Sequence, residues 1–442
     1  MKQFFIIIML LVTQVTLSQD SNSEPSKLWT LEECLQYVLE NNITIKDAAL
    51  NYEQAAVNFS KAKSSRLPNL YGSASETFSN GNSIDPITSD FVSEQIYSTN
   101  VSLNSSVTLF QGNQVNNQIA QNALLVNQSV FLKEETKNNI ILSILENYLQ
   151  ILYAKEGITI AENNVLASEK ELERAKARLD AGTIALSDYT EAQSQAATNK
   201  YAVITAKNTY QQYIIALKQL LELDPTQDIE IETLGDNDNY IALELDKLAI
   251  YNKALGILPE INASKIGIQL SEKELDIAKG AYLPTLSLVS SLGSGYTSIN
   301  DNNFSDQFNV NFNQRIGLSL NIPIFNRNQT KAAVQSAQIS IEKAQINQQQ
   351  TEKEVYKKVE TAYQNAVSAQ EQLIAAEASK AAAEQSYNLA QKKYELGGLS
   401  TTDLVISQNT YTNAQQNYLQ AKYLSILYHQ LLQFYQGNTI KL

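Results

Sequence analysis

The chain is written twice, and this limits its possible folds more than any other feature. RLPNL at residues 66–70 returns as YLPTL at 282–286, and VTLFQGNQ at 107–114 returns as NIPIFNRNQ at 321–329. Gly182 and Asp188 in LDAGTIALSDYT return as Gly397 and Asp403 in YELGGLSTTDLV. The offsets from Leu67, Phe110, Gly182 and Asp188 to their counterparts are 216, 215, 215 and 215. Two halves in nearly gapless register make a tandem repeat, so the fold must be built from two similar units. The reading is a leader at 1–18, a first repeat at 19–222, a join at 223–243, a second repeat at 244–437 and a tail at 438–442.

Each half changes period in the same order. A helical pattern at 26–66 is followed by two short alternating stretches, a helix-like run at 112–181 and another at 187–221. The second half copies this with 243–281, alternation, 328–396 and 401–435. With only 15 Gly and 7 Pro in 442 residues, the long runs meet few breakers. Val355, Val359, Ala362, Ala366, Ala369 and Leu373 begin a 4-3 seam that continues to Tyr394. The first half carries the same seam from Ile140 to Leu179, interrupted by Asn147 and Ser168. A run of roughly 70 residues spans about 105 Å, twice the length of the flanking helices.

The alternating stretches have one greasy face and one amide face. Val101, Leu103, Val107 and Leu109 alternate with Asn and Ser, and Val310, Phe312, Ile316, Leu318 and Leu320 alternate with Asn, Arg and Ser. The stretch containing Leu286 and Leu288 alternates more weakly. Residues 79–98 and 297–307 read as exposed loops. The leader, MKQFFIIIMLLVTQVTLSQD, has a lysine, an apolar core and a small-residue end, which is the pattern of a Sec signal peptide. An exported chain with no later apolar run long enough for a spanning helix can cross a membrane only with strands. Tyr71, Tyr97, Phe110, Tyr282, Tyr296 and Phe325 cluster at strand ends, as in the aromatic girdles of outer-membrane barrels. Four strands cannot close a barrel, so more than one chain is required.

Other functions fit less well. A formal charge of -13 with no basic cluster excludes a nucleic-acid binder. The single Cys34 and single His429 read as packed helical residues, and Cys34 has no lipobox ahead of it, so no lipid anchor is expected. No convergent set of residues points to an enzyme, a metal site or a cofactor. A periplasmic adaptor or a structural coiled coil is the alternative, but neither accounts for duplicated helix, strand, strand, long helix, helix units.

The duplicated Leu-Pro before each first strand, LFQGNQ and IPIFNRNQ after each second strand, and the two Gly turns resemble the outer-membrane efflux proteins of Gram-negative bacteria, the TolC-like channel tunnels. The resemblance runs from about residue 31 to 437. It implies a mainly α fold with a small β part, four transmembrane strands per chain and a twelve-stranded barrel closed by a homotrimer. It also implies a helical tunnel that takes a periplasmic adaptor and an inner-membrane pump as partners, with outer-membrane lipid around the barrel.

In that architecture the Gly turns form the end far from the membrane. Gly182 and Gly397 suit helix C-caps, and Ser400 with Asp403 reads as a capping box. Ala185 is a poor cap, leaving Ser187 or Asp188 to start the helix after the first turn. The tip expected to receive the adaptor comprises Gly182, Thr183, Gly397, Gly398 and Ser400. The gate candidates are Asp188, Asp403, Tyr394, Leu399 and Ile406. Leu399 and Ile406 stand where the family often carries a basic and an acidic residue, which implies a less charged constriction.

Overall fold

The computed structural model describes residues 27–84, 88–233 and 246–440. The leader at 1–18 and the later part of the 223–243 join lie outside the described residues. Two helices dominate. α3 (Gln114–Asp180) and α8 (Gln329–Glu395) are each 67 residues long and start at positions 215 apart, so each spans about 100 Å. Each follows an asparagine in the left-handed region, Asn113 at φ 60° and Asn328 at φ 64°. α4 (Leu186–Leu221) folds back along α3, and α9 (Thr401–Tyr435) folds back along α8.

The helix expected at 26–66 is divided. Lys27–Trp29 forms a short strand, β1, followed by α1 (Leu31–Asn41) and α2 (Ile43–Ser64). Thr30 and Glu33 form the capping box of α1. Asn42 then ends α1 and caps α2, its Oδ1 accepting from Thr44 N and Ile45 N, while its Nδ2 donates to Leu220 O at 2.9 Å. A side chain that competes with backbone groups is favoured at such a junction. The expected helix at 243–281 is likewise two: α5 (Lys247–Ile257) and α6 (Pro259–Gly280). Pro259 has no N–H to continue α5 and a φ suited to beginning α6.

Two apolar clusters hold the middle of the long helices. Ile144, Leu145, Tyr148, Leu149 and Leu152 of α3 pack with Trp29, Val38, Leu217 and Ile231. Ile250, Ile261, Val355, Val359 and Leu432 form the second cluster. β4 (Ile229–Ile231) pairs in parallel with β1, which attaches the described part of the join to this belt. The Tyr148 hydroxyl donates to Glu232 O at 3.1 Å, and burial keeps its phenol above the ordinary range. Along α8 the seam is buried from Val355 to Leu373, but Ala376, Ala383 and Ala390 are only half-buried in the single chain.

β2 (Asn69–Ile84), β3 (Phe91–Gln111), β5 (Thr285–Thr297) and β6 (Asn313–Asn321) form one antiparallel sheet in the order β2-β3-β5-β6. It differs from the sequence expectation in three places. The residues expected as a loop at 79–98 largely continue β2 and β3, which pair from Asn69↔Ser106 out to Ile84↔Phe91. Residues 308–312 are not strand: α7 (Phe304–Val310) contains Val310, and Phe312 lies in the link before β6. Within FSDQFNV the 3.6-residue period wins, because Asn303 caps the helix and Phe304 and Phe308, one turn apart, stack at 5.5 Å. Finally, Leu109 is the unpaired residue of a bulge between Thr108 and Phe110, which puts Phe110 on the face expected for Leu109.

Gln307 closes the β5–β6 connection. Its Oε1 accepts from Thr297 N at 2.9 Å, and its Nε2 donates to the carbonyls of Thr297, Asn300 and Asn302 at 3.0, 3.1 and 2.7 Å. Only 1% of the residue is exposed.

Candidate functional site: the helical tip and the sheet

At the tip the repeat survives in its hydrogen bonds. Gly182 N donates to Leu179 O and Thr183 N to Arg178 O, each at 2.9 Å. In the second half Gly397 N donates to Tyr394 O at 3.0 Å and Gly398 N to Lys393 O at 2.9 Å. The glycines lie at φ 68° and 78°. Both turns are therefore Schellman caps, in which the left-handed residue costs glycine little. The next helices begin differently. Ser400 Oγ accepts from Asp403 N at 3.1 Å and donates to the Asp403 carboxylate at 2.7 Å. Opposite, Ala185 supplies no side-chain oxygen, and Asp188 reaches back to accept from Ala185 N at 3.3 Å. Asp188 thus completes the cap from inside the first turn of a helix that starts at Leu186.

The gate candidates do not share one environment. Asp403 and Ile406 are exposed, Leu399 and Asp188 half-buried, and Tyr394 only 2% exposed. Tyr394 is packed inside the chain, with Thr401 Oγ1 3.4 Å from its hydroxyl and the Arg178 guanidinium 5.2 Å from its ring centre. The residues expected at the docking tip, Gly182, Thr183, Gly397, Gly398 and Ser400, are all exposed.

Sequence reading missed the residues that tie the two tips together. Arg174 Nη1 lies 2.9 Å from Glu171 on its own helix and 2.9 Å from Glu395, the second contact joining α3 to α8. One turn on, Arg178 Nη1 donates to Tyr394 O at 3.4 Å. Arg66, Arg174, Arg178, Arg315 and Arg327 are the only arginines, so a pair one helical turn apart near a Gly turn was a usable signal. Between the return helices, Gln195 Nε2 donates to Asn409 Oδ1 at 3.3 Å.

Glu171 is 8% exposed, and burial raises its carboxyl above the ordinary range, against the lowering pull of Arg174. A carboxyl with a raised folded-state pKa adds stability below its unfolded pKa and loses it as pH rises through the folded one. Amide exchange at the tip, corrected for intrinsic rate, is therefore expected to slow as pH falls through the Glu171 titration. Glu171→Gln should flatten that dependence, and a Gln variant with the wild-type profile would assign it to another group.

At the other end, the register sorts side chains by face. Val101 is opposite Ser294, Leu103 opposite Leu292, Val107 opposite Leu288, Leu286 opposite Leu320 and Leu288 opposite Leu318. Directly paired residues share a face, so these, with Ile316, form one apolar surface. Asn100, Ser102, Asn104, Ser291 and Arg315 lie on the other face. The sheet therefore has one apolar and one polar face, the alternation expected of a barrel segment.

The sequence profile of the outer membrane efflux protein family matches residues 34–222 and 250–433. The chain belongs to the outer membrane efflux protein family. It is thus an outer-membrane protein of the Gram-negative type, and the two matched stretches fall one in each repeat. Outer membrane protein TolC of Escherichia coli K12 is 24% identical over 341 residues, covering 74% of this chain and 66% of the relative. Outer membrane efflux protein BepC of Brucella suis is 23% identical over 324 residues, covering 70% and 63%. The chain thus spans a little under two thirds of these relatives' own lengths. The solved structure of CusC has the same fold, with a TM-score of 0.79, 17% identity and 96% of both chains covered. VceC of Vibrio cholerae gives 0.77 at 16% identity, covering 93% of this chain and 97% of its own.

Proposed function

We propose that three copies of this chain assemble into an exit duct through the outer membrane, serving a tripartite efflux or type I secretion machine. The observation that carries the reading is the four-stranded sheet with one apolar face, mounted on helices too long for any compact domain. Its outer strands, β2 and β6, have no further strand partner among the described residues, and unpaired backbone groups are not tolerated against lipid. β6 runs opposite to β2, so β6 of one copy pairs antiparallel with β2 of the next, and three copies close a twelve-stranded barrel. The half-buried lower seam of α8 supplies helical contacts for the same assembly.

The far tip is the gate and the docking end. The exposed Gly turns present paired helices to a periplasmic adaptor, and an inner-membrane pump supplies the energy. Arg174 and Arg178 hold the two hairpin tips of a chain together and keep the mouth narrow. Asp188 and Asp403 give that mouth a cation-attracting field. Asp403→Ala is expected to lower cation preference in planar bilayers, and an unchanged reversal potential under a salt gradient would remove Asp403 from the pore. The assembly itself is tested by fractionation: the protein should be recovered from the outer membrane as a heat-modifiable trimer. A soluble periplasmic monomer would overturn the proposal.

A further inference from the structure

The four strands are almost without charge, and the one cation among them lies on the polar face. Across residues 69–77, 98–111, 285–297 and 313–321 the only charged residues are Glu76 and Arg315. Glu76 stands opposite Thr99, two residues from Val101, and so belongs to the apolar face, where the Thr99 hydroxyl donates to it. Arg315 stands opposite Ser291 on the polar face, with Asn313 and Gly317 as its neighbours there along β6. It is exposed, and no hydrogen bond or ion pair among the described residues holds its guanidinium. Arg66, Arg174 and Arg178, by contrast, each reach an oxygen, at 2.7, 2.9 and 3.4 Å.

Its level in the sheet and its strand both keep that charge open. Ser291 is opposite Asn104, six residues from Phe110 and seven from Tyr97, so Arg315 lies midway between the aromatic ends of the strands. A charge facing lipid at such a depth is destabilising, which leaves the water-filled side for it. β6 is an edge strand, and β2 of a neighbouring copy would bring Asn69, Tyr71, Ser73, Ser75 and Thr77 beside it on the polar face. None is a carboxylate, so no register that pairs these residues neutralises the arginine. The acids of the β5–β6 connection stand apart. Asn300 and Asn302 are tied through Gln307 to Thr297. That keeps Asp301 near the Thr297 level, six residues or about 20 Å along β5 from Ser291. Asp306 belongs to α7, which lies against the apolar face through the bond from Ser294 Oγ to Phe308 O.

We infer that Arg315 makes the strand-built section of the duct favour anions, a specificity element opposite in sign to the proposed acidic tip. The inference rests on the trimeric barrel reading above. Twelve strands about 4.8 Å apart and tilted by about 40° enclose a backbone radius of roughly 12 Å, and an inward arginine reaches several ångström nearer the axis. Three guanidinium groups therefore stand within one screening length of the axis, about 10 Å at 0.1 M salt. Arginine stays charged at any working pH, and walls of low dielectric concentrate its field in the lumen. Rings of such side chains select anions in other pores. Carboxylate and phosphate solutes are thus enriched at this level and cations depleted.

The test is the reversal potential of the purified full-chain oligomer in planar bilayers, under a potassium chloride gradient centred near 0.1 M. Arg315→Gln should raise the potassium-to-chloride permeability ratio about two- to fourfold. Arg315→Glu should raise it further, and Arg315→Lys, which keeps the charge, should match the wild type. The effect of Arg315→Gln should fade near 1 M salt, where the screening length is about 3 Å. If the Arg315 variants do not assemble, Asn104→Asp places a carboxylate at the same level on β3, leaves the arginine in place and should also raise the ratio. Wild-type ratios from Arg315→Gln and Arg315→Glu, or from Asn104→Asp, would overturn the inference. So would an Arg315→Lys channel that behaves like Arg315→Gln, or a shift equally large at 1 M. A wild-type chain that forms no conducting oligomer would instead overturn the barrel reading on which the arginine ring depends.

Discussion

Gly280→Val is expected to abolish the assembled protein in the outer membrane. Gly280 ends α6 where the chain turns toward β5, and it touches Gly112, which joins β3 to α3. A Cβ on Gly280 would sit 2.5 Å from Gly112 O, and one on Gly112 would sit 2.2 Å from Gly280 O. Both neighbours are backbone, so no rotamer change relieves the clash, and the helical wall would have to part from the sheet. Overpacking alone costs about 1–3 kcal/mol. Gly112, at φ 54°, adds left-handed backbone strain of about 1–3 kcal/mol for any other residue. For a Gly112 variant the two add to about 2–6 kcal/mol, a large part of the roughly 5–15 kcal/mol that stabilises an ordinary domain. The contrast with the second repeat isolates the cause. Arg327 holds the position equivalent to Gly112 and the same φ of 54° with a full side chain, so the conformation is tolerable where no second backbone presses on it. Arg327→Gly should therefore leave the yield of heat-modifiable oligomer near wild type, while Gly112→Ala and Gly280→Val remove it. Wild-type yield from Gly280→Val would show that the two segments can separate without loss of the fold.

The second large effect is expected at the tip. A channel carrying Arg174→Ser and Arg178→Ser together should spend far more time conducting than the wild type. Arg174 and Glu395 are 45% and 44% exposed in their side chains, and exposed pairs contribute only about 0–1 kcal/mol. The Arg178 contact with Tyr394 adds to this, so the ties between α3 and α8 together amount to about 1–2 kcal/mol, or a factor of roughly 5–30 in a two-state population. A weak tie suits the proposed gate, because the proposed adaptor need supply only a comparable difference in affinity to open it. Single-channel recording in planar bilayers reads the effect directly. Wild-type open probability in the double variant, with trimer yield unchanged, would remove the arginines from the closed state.

Legibility in the sequence followed period length. The 67-residue helices stand out because a heptad seam over many turns has few competing readings, and the Gly turns stand out because glycine at a helix end has a steric cause. The apolar strand face was legible wherever alternation was uninterrupted, as from Ile316 to Leu320. It failed at Phe308–Phe312, where residues spaced by two are also spaced by four, and a capping Asn303 with a bridging Gln307 decided for helix. β1 and β4 gave no signal, since three residues carry no period and their partners lie some 200 positions apart. The tip contacts were missed because Arg174 and Glu395 belong to different repeats, and only the equal counting of α3 and α8 brings them level.

That equality makes each long helix a ruler for the other. One residue inserted into α8 would advance its tip by about 1.5 Å and turn it by about 100°, carrying Glu395 and Tyr394 away from the arginines. A heptad inserted into α8 alone would restore the facing but leave the two tips about 10 Å out of step. Only matched heptads in both repeats, with compensating turns in α4 and α9, would keep the two tips level. On the proposed assembly, the reach of this protein from the membrane can therefore change only in paired steps, and a chain that gained length in one half alone would lose the proposed mouth.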